Sequence, residues 1–156
     1  VKITILAIGK KHDPKLVSAI EDYTARLQHY CPTKWDLLEA KISSSMKPDE
    51  IKKLESELLL SRTKSDDKVI LLDETGQQIN SIQNSQALEK HLNKATKNLI
   101  FVIGGAYGVT DELKKRADFI WSLSPLVFPH QLVRLILIEQ LYRGFTILSN
   151  AQYHHV

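Results

Sequence analysis

Apolar residues fall along this chain in two alternating rhythms, short continuous runs and stripes at three- and four-residue spacing, and the alternation predicts strands and helices in turn. Lys2 to Ile8 (KITILAI) is rich in β-branched residues and ends at Gly9. Asp13-Pro14 then supplies an N-cap and a first-turn proline for a helix whose stripe is Leu16, Ile20, Tyr23, Leu27 and Tyr30, closed before Pro32. Lys34 to Ile42 alternates Trp35 and Leu37 with polar neighbours and reads as a second strand. A helix starting near Pro48 carries Ile51, Leu54, Leu58 and Leu59 on one face. Lys68 to Leu72 is a strand closed by the turn signal Asp73-Glu74-Thr75-Gly76. Ser85 to Thr96 is a helix, and Leu99 to Ile103 (LIFVI) is a buried strand. Phe119 to Leu123 is a further strand, and Gln131 to Leu148 is the last helix. Continuous apolar strands separated by helices predict an α/β fold with a mainly parallel sheet covered on both faces.

At 156 residues and 43% hydrophobic content the chain buries one sizeable core, so residues 1–156 are expected to form one domain. The formal charge of +3 suits a phosphate-rich partner without the dense basic character of a dedicated DNA-binding arm. Cys31 is the lone cysteine, which excludes an intrachain disulfide. The greasiest segment, Leu132 to Leu141, is broken by Arg134 and Glu139, which argues against a membrane span. With no N-terminal signal pattern, the expected setting is cytoplasmic.

Candidate chemistry gathers in the last third. Gly104, Gly105 and Gly108 directly follow a buried strand, where glycine lets a ligand approach backbone amides; read alone, the loop serves equally as a structural turn or a ligand contact. Its spacing is GGxxG and it comes after about the fourth strand, unlike a dinucleotide fingerprint, and the next strand ends without an acid. Leu123-Ser124-Pro125-Leu126-Val127-Phe128-Pro129 is either a connector or an apolar wall for an adenine ring. On the last helix Arg134 lies amid Leu137, Ile138, Leu141 and Phe145, so its guanidinium needs an anionic or carbonyl partner from a ligand, a phosphate or another subunit, unless it forms an internal salt bridge or snorkels out to solvent. Glu139 and Arg143 read as an exposed helix pair, and Lys114-Lys115-Arg116 as a solvated face. His130, His154 and His155 make no metal spacing, so no metal is expected. No GxSxG, P-loop or HExxH pattern is present.

Taken together, KITILAIGK, LLDETGQ, FVIGGAYG, WSLSPLVFPHQLVR, LILIEQLYRGF and the closing YHH identify a resemblance, over essentially the whole chain, to the small SPOUT-class methyltransferases that modify N3 of a pseudouridine in helix 69 of bacterial 23S rRNA. The resemblance implies a three-layer α/β/α domain with a C-terminal trefoil knot, a homodimer, and S-adenosylmethionine as methyl donor on the ribosome. It places the cofactor at Leu72, Gly104 with Gly105, and Leu123, Ser124, Pro125, Leu126, Val127 and Phe128. It places catalysis at His130, Arg134, Tyr142, Tyr153 and His154. The chemistry then needs the N3 proton removed, expected through His154 or a water it holds, with Arg134 or another cation orienting phosphate or stabilising charge on the base. The chain departs from the family at its end, where His155 and Val156 stand in place of a basic residue. A non-catalytic RNA- or ribosome-binding module of the same fold is the main rival, and a nicotinamide or nucleotide enzyme the second.

Overall fold

In the computed structural model, which describes residues 1–155, five strands form one all-parallel sheet in the order β2-β1-β4-β3-β5. The strands are β1 (Lys2–Ile8), β2 (Thr33–Leu38), β3 (Lys68–Gln78), β4 (Asn98–Ile103) and β5 (Phe119–Ser122). The helices are α1 (Val17–Gln28), α2 (Pro48–Ser61), α3 (Ser81–Asn93), α4 (Asp111–Arg116) and α5 (His130–Leu148). Successive strand residues point to opposite faces, which explains the continuous apolar runs. Ile3, Ile5, Ile70, Leu99 and Phe101 pack with Ile20, Leu88 and Leu137 of α1, α3 and α5, while Leu6, Val69, Leu71, Ile100 and Val102 pack with Leu59 and Leu113 of α2 and α4. The result is the three-layer α/β/α architecture.

Several boundaries differ from the sequence reading for local reasons. β2 stops at Leu38 rather than Ile42, because Ile8 and Leu38 are the last paired residues and the Gly9 amide donates to the Leu38 carbonyl. The helix expected from Asp13-Pro14 begins at Val17: the Asp13 carboxylate caps the Lys15 amide, and its carbonyl takes the Leu16 and Val17 amides in a preceding turn. α3 starts four residues earlier than expected because Asn80 and Gln83 form a reciprocal capping box, an N-x-x-Q signal legible in the sequence. α4 is hidden from periodicity because Leu113 is its one buried residue; Thr110 caps it.

β3 differs most. Asp73-Glu74-Thr75-Gly76 does not end the strand but forms an irregularity, after which Gln77 and Gln78 pair with Trp121 and Ser122. Gly76 is required there by close approach: a Cβ would lie 2.6 Å from the Ile120 carbonyl carbon and 2.8 Å from its Cγ2. Gly76→Ala is therefore expected to force β5 away and cost about 1–3 kcal/mol, by analogy with overpacking, read as a lower melting temperature. An unchanged melting temperature would show that the edge yields freely.

Candidate active site

The irregularity in the middle of β3 and the carboxyl ends of β4 and β5 open on one side of the sheet, close to the usual position for a ligand in an open α/β fold. Between the connections 104–110 and 123–129 lies a cavity of about 390 Å³, within the range of small-molecule sites. Leu72, Gly104, Gly105, Leu123, Ser124, Leu126, Val127 and Phe128 line it, as the sequence reading placed them; Pro125 does not. The 104–110 loop is closed by the Gly108 amide donating to the Gly105 carbonyl at 3.1 Å. The opposite wall is shaped by the Leu126 amide donating to Ser124 Oγ at 2.9 Å. Leu126 and Val127 are 70% and 80% exposed, apolar surface beside a cavity rather than in a core. Asp73 and Glu74, taken from sequence as turn formers, also line the cavity, carried there by the irregularity in β3.

His130 enters the same cavity from the first turn of α5. Burial, and then the charge of Arg134, lower its pKa, so the imidazole is neutral at pH 7.

Arg134 itself turns away from the cavity and is 0% exposed. Its Nη2 donates to the carbonyls of Ile8 and Gly9 at 2.9 and 3.0 Å, and its Nη1 donates to the Lys11 carbonyl at 3.0 Å and to His12 Nδ1 at 3.2 Å. The partners are thus internal backbone carbonyls, not an internal carboxylate. Gln131 joins this clamp, accepting from the Asp13 amide at 3.0 Å and donating to the Lys11 carbonyl at 3.2 Å. Together the two side chains pin the β1–α1 loop to the start of α5.

Tyr142, Tyr153 and His154 meet elsewhere, at the far end of α5. Tyr142 is twelve residues beyond His130, about 18 Å along the helix axis. Its ring packs edge-on against Tyr153 at 4.8 Å. The Tyr153 hydroxyl donates to Glu139 Oε1 at 3.0 Å, so Tyr23, 3.2 Å away, donates to it in turn. Burial and these neighbours raise the Tyr153 pKa and keep the phenol protonated. Glu139 and Arg143, read from sequence as an exposed pair, are the half-buried anchor of the tail. Arg143 holds Glu139 at 2.6 Å, lies 4.8 Å over the Tyr153 ring, and donates from Nη1 to His154 Nδ1 at 3.0 Å. An arginine can only donate, so His154 Nδ1 must accept and its proton sits on Nε2. In this arrangement the outward nitrogen of His154 is a donor, not the proton acceptor expected from the sequence.

Of the basic run on α4, two members are engaged. Lys114 lies 3.8 Å from Asp73, and Arg116 donates to the carbonyls of Lys64 and Asp67 at 2.6 and 3.1 Å. Among the described residues no helix is long and apolar enough to cross a membrane.

The sequence profile described as "Predicted SPOUT methyltransferase" matches residues 1–154. The chain belongs to the SPOUT methyltransferase family. It is 44% identical over 154 residues to the ribosomal RNA large subunit methyltransferase H of Christiangramia forsetii, covering 98% of both chains. To the protein of the same name from Cytophaga hutchinsonii it is 40% identical, covering 99% of both. Two solved structures share the SPOUT fold at 14% identity and TM-score 0.53: a probable methylase family protein from Haemophilus influenzae, and the tRNA (m1G37) methyltransferase from Aquifex aeolicus. The present chain is covered to 99% and 92% in these comparisons, and each of those chains to 70%. The SPOUT match takes in both the cavity and Tyr153 with His154, leaving His155 and Val156 beyond it.

Proposed function

We propose that this SPOUT protein transfers a methyl group from S-adenosylmethionine to N3 of a pseudouridine in helix 69 of 23S rRNA, acting on the ribosome as a homodimer whose knotted C-terminal half holds the donor. The reading is supported by the relatives named for large-subunit rRNA methylation. It is carried by one observation, the cavity at the irregularity of β3 and the ends of β4 and β5. Its walls fit the donor: exposed backbone around Gly104 and Ser124 suits the edge of an adenine, and Leu72, Leu126, Val127 and Phe128 suit its faces. When bound, the donor supplies an electrophilic methyl group on a sulfonium.

The chain's own residues then hold the base and handle its proton. His130, neutral and in the cavity wall, is placed to accept the proton that leaves N3. Nε2–H of His154 donates to a base carbonyl, where negative charge develops as N3 loses its proton. The roughly 18 Å between His130 and Tyr142 along α5 prevents one chain from offering both groups to one base. A second copy solves this, its tail facing the first copy's cavity. Half-exposed Leu132, Leu135 and Ile136 on α5 supply apolar surface for that contact.

The test incubates the protein with methyl-labelled donor and, separately, free 23S rRNA, isolated large subunits and assembled ribosomes, then maps the labelled nucleotide. Label on a helix 69 pseudouridine is expected with assembled ribosomes. Donor affinity without transfer to any of the three would remove the substrate assignment, and no donor affinity would remove the cavity assignment and favour a non-catalytic binding module.

A further inference from the structure

Glu55 on α2 is 5% exposed, and its Oε1 is buried with no hydrogen-bond partner among the described residues. The carboxylate lies behind the cavity wall. It packs on the Cα of Gly105, so closely that a Cβ there would come within 2.9 Å of both Cδ and Oε2. Gly105 itself lines the cavity, so a single glycine separates this carboxyl from whatever the cavity holds. The neighbouring residue, Ser56, fixes the arrangement by accepting the Thr110 amide at 3.0 Å, which ties α2 to the end of the 104–110 loop.

An unpaired carboxyl is an odd choice for a site where Leu or Met would pack as well against Leu59. Its own helix carries Asp49, Glu50, Lys52, Lys53 and Glu57, α4 carries Asp111, Glu112, Lys114, Lys115 and Arg116, β1 carries Lys2, and Tyr107 stands in the glycine loop. None of them compensates it: Lys52 faces Asp49 at 3.9 Å and Lys114 faces Asp73 at 3.8 Å. Burial alone pushes the Glu55 carboxyl above the usual range, towards its neutral form. What would draw the proton off is a positive charge on the other side of Gly105.

We infer that Glu55 is a charge-sensing residue for the cavity, ionising when a cationic sulfonium ligand binds and regaining its proton when the ligand is a neutral thioether. This rests on the cofactor reading above. It gives the protein a preference for S-adenosylmethionine over its demethylated product, S-adenosylhomocysteine, although the two share their adenosine, carboxylate and amine. The proton released on binding goes to solvent, and an equivalent proton returns from solvent once the thioether occupies the site. By linkage, a coupling of one pKa unit gives the cation a preference of about threefold at the pH midway between the two values, where proton release is largest, and reaches about tenfold only where the carboxyl is ionised with either ligand.

The test is calorimetric titration of each ligand in buffers of differing ionisation enthalpy, which reads protons released per ligand bound. Because both ligands carry the same amine, its contribution cancels in the difference between them. Wild-type protein is expected to release more protons with S-adenosylmethionine than with S-adenosylhomocysteine. His130 also lines the cavity and could contribute a proton only in acidic buffer, where part of it is charged, so the titration is run at pH 7 or above and Glu55→Gln assigns the source. E55Q should lose most of the excess release and, at the pH of greatest release, about threefold of the preference for the sulfonium ligand. If E55Q folds poorly, Glu55→Met, apolar and of similar length, removes the same ionisation. Binding of both ligands with equal proton release by the wild type, or an excess unchanged in the variant, overturns the inference while leaving the cofactor reading intact. Failure of both ligands to bind the wild type would overturn the cofactor reading and the inference with it.

Discussion

Arg134→Met is expected to lower the free energy of unfolding by about 3 kcal/mol, measured by denaturant titration, because the methionine fills the volume but leaves acceptors stranded. The carbonyls of Ile8, Gly9 and Lys11 receive charged donors from this one side chain, and charge-assisted hydrogen bonds are the stronger class. Exchange of a buried ion pair for apolar residues is often harmless since both partners can be replaced; here the partners are backbone and stay. Nε of Arg134 has no partner among the described residues, so the net effect is smaller than the sum of the bonds. A variant that unfolds with the wild type would show that water or a shifted loop satisfies those carbonyls.

The same clamp sets a pH dependence. Burial, and secondly the charge of Arg134, lower the pKa of His12 below its ordinary 6.5. A histidine with a lowered folded pKa contributes fully above the unfolded value, and that contribution is lost as pH falls from about 6.5 through the folded value. Wild-type stability should therefore erode on acidification below pH 6.5, and the Arg134→Met variant, lacking the repulsion between the two cations, should erode less.

The second large effect is expected at the tail. His154→Ala should slow single-turnover methylation about a hundredfold, the scale of losing one preorganised donor to developing charge. Affinity for the methyl donor should be unchanged, because His154 lies at the far end of α5 from the cavity. Ser124→Trp should do the opposite, filling the cavity and abolishing donor binding while leaving the tail docked. Mixing the two inactive variants under exchange conditions should restore activity, since the mixed dimer combines an intact cavity from one copy with an intact tail from the other. A mixture as dead as its components would refute a site shared between copies, and an undiminished His154→Ala rate would remove His154 from catalysis.

Local sequence encodes the cores of the strands and the side of the sheet that carries the cavity, but not where β2 and β3 end. Runs such as Leu99 to Ile103 are apolar on both faces because the sheet is covered on both, and that signal is local. The loops at Gly104 and Leu123 directly follow such strands, which suited a turn and a ligand contact equally; only the fold shows that they wall a cavity. The need of Arg134 for a partner was legible, from its place on an apolar helix face; which partner was not. Its carbonyls belong to residues more than 120 positions away in the chain, and no periodicity encodes a contact across that separation. Tertiary structure also decided that Asp73 to Gly76 continue a strand, because Ile120 lies against Gly76 and the strand can pair again beyond it. It decided that Glu139 and Arg143 hold the tail rather than meet water, since helical spacing brings them together but only the fold places Tyr153 and His154 over them. The tautomer of His154 follows from that docking, and the solitary burial of Glu55 follows from the closeness of Gly105, which only the packing of α2 behind the glycine loop creates.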